Sequence, residues 1–215
     1  VMRDQPKVNV YVQHKEKDSF TVNNQWWNIG SKPARPQLPI THFRGLVPEI
    51  IAYDLVLNSR ERIQVESYLS LKYGVTLSEP GATYLNSAGE TIWDGYDHPA
   101  WHRNIAGLGR DDSSGLNQII ASASNTPGLL TIASKNLLPN NSFLLWGDNN
   151  KPLTTGERVR GLPLMLQKTW LMKPYGNVSP FTTNLIIDTR QVDAKLPVKP
   201  VYWLSIDPSG EGKFN

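Results

Sequence analysis

Asn58-Ser59-Arg60-Glu61-Arg62-Ile63-Gln64-Val65-Glu66-Ser67-Tyr68-Leu69-Ser70-Leu71-Lys72-Tyr73-Gly74 is the stretch with the clearest helix signals in this chain. Asn58 can accept from the first free backbone amides, and Glu61 follows three residues later, the spacing of a capping box. Val65, Tyr68, Leu69 and Lys72 recur at i, i+3, i+4 and i+7, with the Lys72 stem able to lie along the apolar face. Gly74 stands where a left-handed residue closes a helix. These signals predict an amphipathic helix near residues 58–73. It is expected to plug the end of a sheet or to join two sheet domains.

Outward from this helix the chain reads as strands. Val8–Val12 alternates apolar and polar residues at the period of a half-buried strand, with weaker candidates at Ser19–Asn23 and Trp26–Ile29. Pro33, Pro36 and Pro39 make 31–39 an extended loop, because proline cannot donate to a ladder. Val47–Leu57 reads as a buried strand centred on Ile50-Ile51-Ala52-Tyr53. Beyond the helix, 78–90 is turn-rich and Glu90–Trp93 reads as a short strand. Asp94–Arg103 is a polar, aromatic loop. Asn104–Leu108 and Leu116–Ala123 flank a turn at Asp111-Asp112-Ser113-Ser114-Gly115. Gly128–Ala133, Ser142–Trp146, Leu164–Met172, Asn184–Asp188 and Val201–Ile206 continue the series. Strands every ~10–20 residues with turn chemistry between them point to antiparallel sandwiches.

Composition agrees. The 215 residues contain 16 Gly and 16 Pro, which suits short strands joined by turns, and 7 Trp and 8 Tyr, which suit a pleated surface. Hydrophobic residues at 39% allow a lean core. The net charge of +3 is small, and Lys15, Lys17, Arg60 and Arg62 each adjoin an acidic residue, so nucleic acid is not the expected partner. With no Cys there are no disulfides, thiolate metal sites or Cys nucleophiles. No run of ~18 apolar residues is present to span a membrane. The fold class expected is therefore all-β, mostly antiparallel sandwich or jelly-roll strands, with one helix.

The run from Glu49 through Leu77 resembles the end of a concanavalin A-like (laminin-G-like) jelly-roll domain, whose last strand leads into a helix ending in Lys-Tyr-Gly, here Lys72-Tyr73-Gly74. Asn104–Gln118, with its Gly109-Arg110-Asp111-Asp112 loop, and Phe143–Asn149 resemble a β-rich module that follows such jelly rolls in large exported proteins of Bacteroidota-type bacteria. Lys168-Thr169-Trp170, Tyr202–Ile206 and Gly212-Lys213-Phe214 fit the sandwich that closes it. The resemblance implies a partial jelly-roll-like segment over 1–77 and a β-rich module over 78–215, with both ends cut from a larger polypeptide. It also implies extracellular or cell-surface display and adhesion, through a glycan or another surface protein, with no established reaction. A jelly-roll ligand site on strands outside the chain is not carried over.

Each candidate site has two readings. Asp111 and Asp112, with Ser113 and Ser114, offer closely spaced oxygens to a hard cation such as Ca²⁺, and Asp148 and Asn149 could add to the same ion. The same residues also make ordinary turns, in which Asp and Ser bond their own backbone and Gly115 takes positive φ. Trp93, Tyr96 and Trp101 could form a stacking platform for a sugar ring; alternatively the two indoles are core. Trp26 and Trp27 point to opposite faces of a strand, so one is expected in the core and the other either exposed, where it could meet a ligand, or covered by the proline loop. His98 and His102 are four apart with Pro99 between them, a poor zinc spacing. No Gly-x-Ser-x-Gly, phosphate loop or His-Glu-x-x-His occurs, and no carboxylate pair announces a glycosidase. The expectation is a non-enzymatic adhesion or glycan-contacting module. The alternatives are a purely structural spacer and a fragment of a polysaccharide-acting jelly-roll enzyme.

Overall fold

A computed structural model describes residues 47–77, 81–126, 129–156, 164–178, 182–192 and 201–210. The strands expected at Val8–Val12, Ser19–Asn23 and Trp26–Ile29, the 31–39 loop and Gly212–Phe214 lie outside these residues. Residues 9–57 and the chain from Asn58 onward form separate compact units. Of the first, 47–57 are described; they form neither helix nor strand and are mostly exposed, so the buried strand expected there is not formed.

The second unit opens with helix α1 (Ser59–Tyr73). Among the described residues nine strands follow: β1 (Thr83–Leu85), β2 (Thr91–Asp94), β3 (Arg103–Asp111), β4 (Leu116–Gln118), β5 (Ile120–Ser122), β6 (Leu130–Ser134), β7 (Ser142–Asp148), β8 (Trp170–Tyr175) and β9 (Thr183–Ile187). Single 3₁₀ turns sit at Pro99–Trp101 and Thr189–Gln191. All the strand pairings are antiparallel. They make a β1-β2 hairpin, a four-stranded sheet in the order β4-β3-β7-β8 and a three-stranded sheet in the order β5-β6-β9. Over the described residues the fold is all-β with a single α-helix, and its two larger sheets give it a sandwich-like build.

The helix forms as its ends dictate. Asn58 Oδ1 accepts from Glu61 N (3.0 Å) and Glu61 Oε2 accepts from Asn58 N (2.8 Å), while Gly74 takes φ +63°. Its docking face differs from the one expected. Ser67, Ser70 and Leu71 are buried, whereas Val65, Tyr68 and Leu69 are half-buried. Polar contacts hold it to the hairpin: Ser67 Oγ accepts from Leu85 N (2.9 Å), Gln64 Nε2 donates to Ser87 O (2.6 Å) and Arg60 Nη2 donates to Gly89 O (2.7 Å).

β3 and β7 form the centre of the four-stranded sheet, and both of its faces are covered. One face carries Ile105, Phe143 and Leu145, which pack with Leu71 of the helix and Tyr84, Ile92 and Trp93 of the hairpin. The other carries Ala106, Leu108 and Trp146, which pack with Ala121, Leu130 and Ile132 of the three-stranded sheet. Alternation along each strand sends successive side chains to the two cores. Gly109 lies directly opposite Phe143, and a Cβ there would fall 2.4 Å from the Phe143 ring. Edge strand β8 tolerates Pro174 because its outer side needs no ladder donor.

Three expected strands are corrected. Leu116–Ala123 is two strands in different sheets, broken at Ile119, because a chain that must serve both layers turns the corner between them. The strand placed at Leu164–Met172 starts at Trp170, and the residues before it form a loop with an isolated Thr155–Leu166 bridge. Val201–Ile206 is not a strand: it has no ladder partner among the described residues, and Trp203 is 77% exposed. Among the described residues no helix is long and apolar enough to cross a membrane.

Candidate functional site

The Asp94–His102 loop turns most of its aromatic surface inward. Trp93 is fully buried, and its indole donates to His102 Nδ1 (3.0 Å). His98 meets the Trp93 ring edge-on at 5.4 Å, and the Lys173 ammonium on β8 donates to His98 Nε2 (2.8 Å). Burial, then the Lys173 charge, hold the His98 pKa below its ordinary value. Trp101 is half-buried and donates to Thr169 Oγ1 (3.2 Å). Tyr96 differs: it is 76% exposed and its ring lies over Gly81, while its backbone N–H donates to Asp94 Oδ1 (2.8 Å). The three residues expected to form a stacking platform thus contribute one outward ring. Trp26 and Trp27 lie outside the described residues.

Asp111 and Asp112 act separately within the β3–β4 turn. Asp111 is buried; its carboxylate accepts from Ser87 N (2.8 Å), Ser87 Oγ (2.6 Å) and Ser114 N (3.4 Å). Asp112 is exposed and pairs in bidentate fashion with Arg110 (2.7 and 2.9 Å). That hydrogen bonding lowers the Asp112 pKa and raises that of Arg110. Gly115 closes the turn at φ +72°.

Asp148 ends β7 and is completely buried. Its Oδ1 accepts from Asn150 N (2.8 Å); its Oδ2 accepts from both Asn104 Nδ2 (2.7 Å) and Lys168 Nζ (2.9 Å). The Lys168 side chain is only 6% exposed. Asn149 binds the loop before β8, donating to Gln167 O and Thr169 Oγ1 (both 2.9 Å). Sequence alone singles out Asp148 and Asn149 but misses Lys168 and Asn104. Asn104 reaches the carboxylate because β3 is irregular between Arg103 and Ala106 and Asn104 takes φ +50°, which redirects its side chain. No local motif marks either partner.

Since β3 and β7 are antiparallel, Asp111 and Asp148 lie at opposite ends of the sheet. The pairs Asp111/Asp112 and Asp148/Asn149 therefore do not converge on one ion. Among the described residues no group of three or more His, Cys, Asp or Glu is arranged to hold a metal.

A further polar knot joins the β1–β2 turn to β7 and β8. Glu90 Oε2 accepts from Asn86 Nδ2 (2.8 Å), Asn141 Nδ2 (3.2 Å) and the Tyr175 hydroxyl (2.8 Å), which lowers the Glu90 pKa. It carries no sequence signature, because Asn141 and Tyr175 come to Asn86 and Glu90 from distant parts of the chain.

Residues 61–215 match the model of a family described as a domain of unknown function, DUF8202. No curated protein and no solved structure matches the chain. The family match begins inside helix α1 and runs through all nine strands, well over half the sequence, and the chain belongs to the DUF8202 family.

Proposed function

We propose that this chain is a non-enzymatic structural module of a larger exported, cell-surface polypeptide, in which the sandwich sets reach and stiffness. The observation that carries this reading is the inward commitment of the candidate side chains. Trp93, Trp101, Asp111 and Asp148 are buried or half-buried, and each spends its polar atoms on protein partners. A ligand site of the kind the sequence suggested needs those groups facing solvent.

The exposed Tyr96 ring favours a second reading, glycan contact through one stacking residue. Binding of the full chain to an array of bacterial and host polysaccharides separates the two. The spacer reading expects no saturable binding. Saturable binding that Tyr96→Ala abolishes would replace it with the glycan reading. The spacer reading also places no Ca²⁺ at Asp111 or Asp148, so a chelator leaves the melting temperature unchanged; a drop on chelation that added Ca²⁺ reverses would overturn that part.

A further inference from the structure

Asn104, Asp148 and Lys168 make an unusual arrangement, in which Asp148 and Lys168 are buried and Asn104 is half-buried. A primary amine and a primary amide donate to the same carboxylate oxygen, at 2.9 and 2.7 Å. The two nitrogens are thus no farther apart than two hydrogen-bond lengths. The Lys168 and Asp148 side chains are 6% and 1% exposed, so water is largely excluded. Taking two charges out of water costs several kcal/mol per ion, and a buried pair is often no better than an apolar replacement. Asn104 is held there in the left-handed region at an irregularity of β3, a conformation that carries strain for a non-glycine residue and gathers at functional positions.

We propose that Lys168 and Asn104 join in an intramolecular isopeptide bond, with Asp148 as the proton shuttle. A proton crosses from the Lys168 ammonium to the Asp148 carboxylate, leaving a neutral amine and a neutral acid. The Nζ lone pair attacks Cγ of Asn104 while the Asp148 acid steadies the developing oxyanion. The new N–Cγ bond forms as the Cγ–Nδ2 bond breaks. The surplus Nζ hydrogen passes through Asp148 to Nδ2, which departs as ammonia. The products are a secondary amide between the two side chains and a protonated Asp148 hydrogen-bonded to it. No oxidant or other co-reactant enters. Both buried charges disappear, and proximity with fixed orientation supplies the rate. Because β7 lies between β3 and β8, the bond straddles the central strand and ties the chain at the start of β3 to the chain entering β8. This inference is independent of where the protein is displayed.

Intact-mass spectrometry of the full chain under denaturing conditions tests it. The expected mass is one ammonia below that of the sequence, and digestion yields a branched peptide linking Asn104 to Lys168. Lys168→Arg, which keeps a cation beside Asp148, and Asp148→Asn, which keeps its shape, are expected at full sequence mass. A wild-type chain that stays at full mass after prolonged incubation overturns the proposal. So does a chain one water lighter with a Lys168–Asp148 branch, or a chain one ammonia lighter whose map shows a succinimide and no branch.

Discussion

Three glycines separate two costs that are usually confounded, and alanine at each gives a graded series. Gly115 has φ +72° and nothing within 4 Å of where an added Cβ would sit, so alanine there meets only the left-handed backbone, about 1–2 kcal/mol. Gly147 needs no positive φ, but its Cβ would sit 2.1 Å from Trp101 O and 2.5 Å from Ile105 Cδ1. Overpacking costs about 1–3 kcal/mol, and the upper end applies because the nearest atom is backbone. Gly74 meets both problems, with φ +63° and a Cβ position 2.2 Å from Ser122 O, so Gly74→Ala should lose about 3–5 kcal/mol. Alanine also restricts the unfolded chain, a gain of about 0.4–1 kcal/mol shared by all three variants, so it cancels in the comparison. Urea unfolding followed by far-UV circular dichroism reads the series. The midpoints should fall in the order Gly115→Ala, Gly147→Ala, Gly74→Ala with unchanged slope. Equal losses at Gly74 and Gly115 would refute the reasoning, since they would mean that helix α1 is not seated against the chain at Ser122.

Asp148→Ala removes the acceptor of the buried Lys168 and should lower stability by about 3–5 kcal/mol in the same urea assay. Asn58→Ala removes half of the capping box and should cost about 1 kcal/mol, with Asn58→Asp close to wild type. Glu90 has a pKa lowered in the folded state, so its contribution is present above its ordinary value of 4.5 and lost as pH falls through the folded value. Glu90→Gln should therefore flatten the acid limb of a melting-temperature profile; an unchanged limb counts against the Asn86–Asn141–Tyr175 knot. His98 also has a lowered pKa, so the unfolded chain binds its proton first and stability falls as pH drops below 6.5. His98→Asn should remove that slope near pH 6.

The helix was legible because its information is local: Asn58, Glu61 and Gly74 each act within one turn of the backbone. Its docking face was not. Apolar periodicity selected Val65, Tyr68 and Leu69, but the helix docks through Ser67, Gln64 and Arg60, whose partners on the β1–β2 hairpin lie 18 to 29 residues away. The β3–β4 turn was legible for the same local reason as the cap. β1 was missed because three strand residues stand among turn formers. Val201–Ile206 and Val47–Leu57 show the converse, since apolar, β-branched runs become strands only where a ladder receives them. At the candidate sites, sequence identified carboxylates and indoles but not what answers them. Asp148 reads as a turn residue until β3 delivers Asn104 and the loop before β8 delivers Lys168.

The order β5-β6-β9 has a consequence for how the molecule is made. β5 and β6 are neighbours in the chain, but β9 is separated from β6 by the whole of β7 and β8. During synthesis the free side of β6 therefore emerges long before its partner. Non-local pairing of this kind is slow, and an open strand edge is a template for pairing with another chain. Chains that end after β8 carry that edge permanently, so truncation there should yield aggregates rather than a smaller soluble unit.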